Sequence, residues 1–327
     1  MNKGVKKALL WLGWLAIVFV LRKNKTFVTT AVWLCAWTAF VEIINWRLSR
    51  KQKRSDKPSG PIADPRFNTP RKAAALFFNY GVSSLLFYLN PLLATQSFLQ
   101  IAGIFREKAF GRPVLDAKDY QQKVNYILPV TGQWRVTNGG VTRETSHSWD
   151  IPSQRFAYDL VKYGPNGRSF EHDGRRLEDY FCFGAPILAP ADGTVIAVRD
   201  GIRDAPRVGT FWMDWLTRSI TGNSVLIQHA EGEYCLLAHL KRGSVRVRAG
   251  QSVRQAQEIG RCGHSGNSTE PHLHFQFQNG KSFYFSSGLP VKFTGFARQN
   301  DGQQALIEQD YISKNTTIAT VNEYEKS

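Results

Sequence analysis

The sequence predicts N-terminal transmembrane α-helices followed by a mainly antiparallel β-sheet domain, folded as a sandwich or partly open barrel. Three observations point there. Long uncharged stretches crowd the first 105 residues, and most of the net positive charge sits among them. Beyond about residue 125, short β-rich stretches alternate with turn signals. The division that follows is 1–105 for a membrane region, 106–298 for the β-rich domain and 299–327 for a polar C-terminal tail.

The first stretch, residues 8–21 (ALLWLGWLAIVFVL), follows Lys3, Lys6 and Lys7 and has no small-residue cleavage site after it, only RKNK. It reads as an uncleaved membrane segment, although it is short for a span. A second runs over 27–46, and five of the nine tryptophans fall within residues 1–46, the place expected for rings at bilayer interfaces. The third, 73–105, is broken by Asn79, Asn90 and Pro91 and suits one kinked span, or a span followed by an interfacial helix. Between the second and third lies 47–72, with nine Lys or Arg, a loop that the positive-inside tendency keeps in the cytoplasm. The third run would then cross outward and leave the rest of the chain on the extracytoplasmic side of the cytoplasmic membrane. The RKNK at 22–25 falls on the wrong side in that scheme.

A formal charge of +16 first suggests nucleic acid, but its distribution argues otherwise. Residues 1–72 hold 15 Lys or Arg against 3 Asp or Glu, whereas the remainder holds 27 against 23. The excess is a topology signal beside apolar runs, not a face for DNA, and the partner expected is the lipid bilayer.

In the second half, Asp-Gly, Ala-Gly and Ser-Gly-Asn punctuate runs of four to seven residues, and no long helical period intervenes. Residues 201–222 read as a loop insertion with at most one helical turn. Four cysteines lack any C-x-x-C pairing, which excludes a zinc ribbon or a redox motif. Cys182, Cys235 and Cys262 fit buried thiols or one disulfide.

All seven histidines lie in this half. In EPHLHFQFQ (270–278), His272 and His274 share one face of a strand, a spacing that suits a wet strand face as well as half of a metal site. A catalytic zinc site needs three His, Asp, Glu or Cys ligands and an open position. Two other chemistries fail. GHSGNS lacks the glycine two residues after the serine of a hydrolase elbow. The hairpin between Ala189 and Asp200 lacks the lysine of a lipoyl carrier.

The ordered blocks APADGTVIAV, VLIQH, LAHL, VRAGQSVRQAQEIGRCGHSGNS and PHLHFQ resemble the lysostaphin-type zinc metallopeptidases, over about residues 130–280. The resemblance implies a β-sheet enzyme that hydrolyses peptide bonds in bacterial cell-wall peptidoglycan. Carried over by position, it implies zinc on Asp159 and His274, the aspartate of a His-x-x-x-Asp motif and the second histidine of His-x-His. It implies His239 and His272 as the pair that assists water activation and stabilises the transition state.

Two positions depart from that pattern. Leu237 stands where a tyrosine is usual, and Arg155 stands four residues before Asp159 where the histidine ligand belongs. Arginine stays protonated and offers no lone pair. Either His147 folds back from SHSWDIPSQRFAYD as the third ligand, next to the NGG at 138–140, or the site has lost zinc. In the second case the domain is a scaffold that binds cell wall or activates another wall hydrolase. A membrane protein whose β-domain merely binds glycan is a third alternative. His229 is expected to make a structural hydrogen bond near the site, His172 to be solvated, and His264 and Asn223 to be turn residues.

Overall fold

The computed structural model describes residues 70–110, 115–300 and 303–320. The expected segments 8–21 and 27–46, and the basic loop up to residue 69, lie outside the described residues.

The third apolar run is not one helix. It forms two helices, α1 (Pro70–Leu89) and α2 (Pro91–Phe110). Among the described residues no single helix is long and apolar enough to cross a membrane. Only the pair has the length and composition, and it is bent by 92°. The break follows from local chemistry. Pro91 has no N–H and disfavours helical geometry at Asn90, while its fixed φ suits the first position of a new helix. Asn90 then caps α2, its Oδ1 accepting from Leu92 N at 3.0 Å.

The polar residues that interrupt the run face the β-domain. Asn90 Nδ2 donates to the carbonyls of Trp215 and Thr217, and Gln96 Nε2 donates to that of Arg218. Gln96 Oε1 accepts from Ile220 N, and Ser83 Oγ accepts from Met213 N. The 201–222 loop, which forms no helix, thus satisfies its backbone groups on helix side chains. Phe77, Phe78, Phe98, Phe105 and Phe110 project outward and are exposed.

The rest is antiparallel sheet, as the alternation predicts. The strands are β1 (Gln133–Asn138), β2 (Tyr158–Val161), β3 (Pro186–Leu188), β4 (Gly193–Arg199), β5 (Asn223–Ala230), β6 (Glu233–Leu240), β7 (Ser252–Val253), β8 (Glu258–Arg261), β9 (Leu273–Gln278), β10 (Phe293–Asn300), β11 (Gln303–Asp310) and β12 (Thr317–Thr320). Ten of them make one sheet in the order β11-β10-β12-β1-β2-β9-β6-β5-β4-β7, and β3 pairs with β8 apart from it. Residues after 299 do not form a plain tail, because β11 and β12 pair on β10, and β12 also pairs with β1. The polar sequence of β11 is that of a sheet edge, where one face stays wet, whereas β12 lies between β10 and β1.

Strand alternation fills the core with Trp134, Tyr158, Phe275, Phe277, Phe293 and Phe296, all fully buried. Buried Glu233 is matched by three donors, the phenols of Tyr120 and Tyr126 and the amide of Lys123. Cys182, Cys235 and Cys262 are free, buried thiols.

Candidate active site

The site is built on three neighbouring strands, β2, β9 and β6. Register sets Asp159 directly opposite His274 across β2 and β9, and His274 opposite Ala238 across β9 and β6. Cross-strand partners project to the same face, so these positions meet by pairing alone.

By alternation His239 would point away from that face. The pairing of β5 with β6 shifts between Asn223 and Val225, which places an extra residue on β6, and His239 adopts φ +59°. A bulge of this kind re-aims a side chain. The His239 ring then stands 4.8 Å from that of His272 and 5.8 Å from that of His274, centroid to centroid.

His147 arrives from the loop after β1. Gly139 and Gly140 carry φ of +120° and +145°, and a Cβ on Gly139 would collide with the Tyr158 ring and the Ala157 carbonyl. The NGG turn therefore needs both glycines to bring the chain back across β2. It leaves His147 Nδ1 3.6 Å from Asp159 Oδ2, with the ring half-exposed.

Arg155 is turned away from this cluster. Its Nε donates to Trp149 O at 3.0 Å, its guanidinium lies over the Trp149 ring, and Nη1 is 3.5 Å from Glu107 Oε1 on α2. It ties a 3₁₀ turn, Pro152–Gln154, to the helix pair.

Asp159 is the hub. His274 Nδ1 lies 2.9 Å and His272 Nε2 3.7 Å from Oδ1, and Asn138 Nδ2 donates to Oδ2 at 3.3 Å. Burial alone would raise the Asp159 carboxyl. The His274 bond and the three surrounding imidazoles outweigh it and hold the group well below the usual carboxylate range. Burial, aided by His272 and His274, pushes His239 well below the ordinary imidazole value, so its ring is neutral. For His274 burial acts downward, but Asp159 and Gln276 raise it overall.

Tautomers follow from the carbonyls. His239 Nδ1 donates to Ser265 O at 2.7 Å and His272 Nδ1 to Glu270 O at 2.8 Å, which leaves both Nε2 lone pairs free. His274 is held the other way. Its Nε2 donates to Gln276 Oε1 at 3.2 Å, and Gln276 in turn donates to Gln278 at 2.7 Å. Both glutamines are fully buried and share the His274 face of β9.

Among the described residues no three His, Cys, Asp or Glu side chains already stand as a closed metal cluster. The donor set nonetheless fits a tetrahedral cation. Ligand atoms each about 2.0–2.1 Å from zinc lie roughly 3.3 Å apart at the tetrahedral angle. The Asp159–His274 and Asp159–His147 separations, 2.9 and 3.6 Å, bracket that value.

These residues floor a cavity of about 540 Å³, walled by Leu76, Phe77 and Tyr80 of α1 and by Phe211, Met213 and Phe283. His229 bonds Asp192 O elsewhere, with Tyr126 packed edge-on, and His172 lies exposed in its loop. Two expectations fail: His264 and Asn223 are fully buried hydrogen-bonding residues rather than open turn positions. Sequence reasoning also passed over Gln276, although the i, i+2 run His272, His274, Gln276, Gln278 signals one polar strand face.

Known proteins resemble parts of this chain. An uncharacterised metalloprotease of Haemophilus influenzae is 32% identical over 151 residues, covering 44% of this chain and 27% of the relative. The peptidoglycan DD-endopeptidase ShyC of Vibrio cholerae is 32% identical over 94 residues, 29% of this chain and 19% of the relative. The chain thus spans about a quarter or less of these relatives. A solved zinc-containing peptidase from Vibrio cholerae shares 19% identity over 51% of this chain and 40% of that one, at a TM-score of 0.29, too low to add to the fold described above. Residues 173–284, the stretch that supplies His239, His272 and His274, match the family model of Peptidase family M23.

Proposed function

We propose that this protein is a membrane-anchored, zinc-dependent endopeptidase that hydrolyses peptide bonds in peptidoglycan or a related extracytoplasmic peptide. The observation that carries the reading is the convergence of Asp159, His147 and His274 with two free-Nε2 imidazoles on one cavity floor. The family match and a relative named a peptidoglycan DD-endopeptidase support the substrate class.

Asp159, His147 and His274 through Nδ1 would hold the zinc ion. When bound, zinc polarises a carbonyl and acidifies water near neutral pH. The chain's own groups do the rest. One of His239 and His272 would take one proton from the attacking water on its Nε2 lone pair, and the other, once its own Nε2 carries a proton, would donate to the developing oxyanion. Asn138 steadies the Asp159 carboxylate. The apolar wall from α1, Phe211 and Phe283 excludes water from one side of a bound peptide.

Zinc content of the full chain is the test. About one equivalent in wild type, lost in Asp159→Ala and His147→Ala together with digestion of purified peptidoglycan, is the expected result. A folded, metal-supplemented wild type without zinc would sink the enzyme reading. It would leave the zinc-free scaffold that binds cell wall or activates another hydrolase, a reading favoured by the lack of a closed cluster among the described residues.

Attachment to the cytoplasmic membrane, with the β-domain on the extracytoplasmic side, completes the proposal. It is supported by the apolar runs at 8–21 and 27–46 and by the outward rings of the helix pair.

A further inference from the structure

The loop between β8 and β9, GHSGNSTEPHLH in sequence, holds a histidine that the mechanism does not use. His264 is fully buried. Its backbone is fixed to the 204–205 segment, with His264 N donating to Asp204 Oδ1 at 2.8 Å and Ala205 N to His264 O at 2.9 Å. The ring Nδ1 lies 2.9 Å from Ser268 Oγ. Ser268, also buried, donates to Glu270 O at 2.7 Å and stands 3.2 Å from His272 Nδ1. The same Glu270 carbonyl accepts His272 Nδ1–H.

A hydroxyl has one proton. Its shortest contact commits it to Glu270 O, so the remaining lone pairs of Ser268 face His264 and His272 as acceptors. His264 then carries its proton on Nδ1 and donates to Ser268. Burial keeps that ring neutral, its pKa lowered to about 3. Both oxygens that face His272 Nδ1 are now acceptors, so the proton of His272 stays on Nδ1 and Nε2 stays bare beside Asp159. An apolar residue at 264 would leave Ser268 short of a donor and free its hydroxyl to turn.

We infer that His264 is a positioning residue that acts through Ser268 and the Glu270 carbonyl to hold His272 in the tautomer whose Nε2 lone pair points into the cleft. The inference rests on the hydrolase reading for what His272 then does, but the tautomer itself can be read without any activity.

The experiment uses the full chain in detergent, labelled with ¹⁵N-histidine, in wild type, Ser268→Ala, Ser268→Thr, His264→Phe and His264→Phe combined with Ser268→Ala. Ring ¹⁵N shifts should show His272 as the Nδ1–H form in wild type, in Ser268→Thr and in Ser268→Ala, where the Glu270 carbonyl still accepts at Nδ1, and as a mixture of tautomers in His264→Phe, where the freed hydroxyl can donate to Nδ1. On cross-linked muropeptides, His264→Phe should lower kcat by about tenfold with KM unchanged, and adding Ser268→Ala to it should restore both kcat and the Nδ1–H signal. An Nδ1–H signal that survives in His264→Phe would overturn the inference, and so would a loss that the added Ser268→Ala fails to rescue. If wild type digests nothing, the hydrolase reading fails while the ring spectra still decide this one.

Discussion

At His274 the two ring nitrogens have separate duties. Gln276 Oε1 accepts the Nε2–H, so Nδ1 is the nitrogen that meets Asp159 and would meet a cation. Partners of this kind orient a ligand and raise its basicity. Gln276→Leu is therefore expected to lower zinc affinity by about 10–100-fold while leaving the fold intact, as measured by competition with a chelator. An unchanged affinity would remove Gln276 from the site. His264 offers a second residue-scale measurement. In the unfolded chain its pKa is about 6.5, and in the fold it is about 3. The unfolded state binds more protons between those values, so this contribution to stability is complete above the unfolded pKa and fades as pH falls toward the folded one. The urea midpoint should drop on acidification from neutral to about pH 5, and drop less in His264→Asn. Identical slopes in both proteins would show that His264 does not titrate in this way. Neutral His239 adds to the same slope in both.

At the scale of elements, one extra residue on β6 and one break at Pro91 decide most of what is distinctive. Without the bulge, His239 would face away from Asp159; with it, two imidazoles flank the same cleft. The break lets α1 and α2 turn their polar residues onto the loop 201–222. Asn90→Ala should cost about 1–2 kcal/mol, from a lost cap and two lost carbonyl partners, and should expose that loop to proteolysis. Equal protease resistance in variant and wild type would mean the helices are held by their apolar contacts alone. A second contact between these elements is the Arg155–Glu107 pair, largely buried on both sides. Glu107→Ala should destabilise the fold more than Glu107→Ala combined with Arg155→Met, because the single change leaves a cation without its partner. Chemical denaturation of the two variants reads the difference directly.

For the whole molecule, the charge is polarised along the chain, with most of the basic excess in residues 1–72. If apolar runs rather than charge attach the protein, the full chain should stay in the membrane fraction through high salt and alkaline carbonate. Release by salt alone would mean an electrostatic association. Length and pattern made several features legible. Alternation gave an antiparallel sheet, and the run PHLHFQFQ gave a strand with a polar face. Composition gave basic, apolar N-terminal segments. The resemblance of ordered blocks then put Asp159, His239, His272 and His274 in one site. Other features depend on contacts between residues distant in sequence. Hydropathy sees only average polarity, so it does not show where the polar residues of the third apolar run find their partners. Its Asn90 and Gln96 find partners more than a hundred residues away. Beyond residue 299 polarity predicts a tail, and the pairing of β11 and β12 with β10, and of β12 with β1, leaves no local mark. That Arg155 turns to α2 while His147 swings to Asp159 follows from two glycines and a distant glutamate. Periodicity is local and survives in one dimension; the direction of a side chain at a bulge or a turn is set by what the folded chain brings beside it.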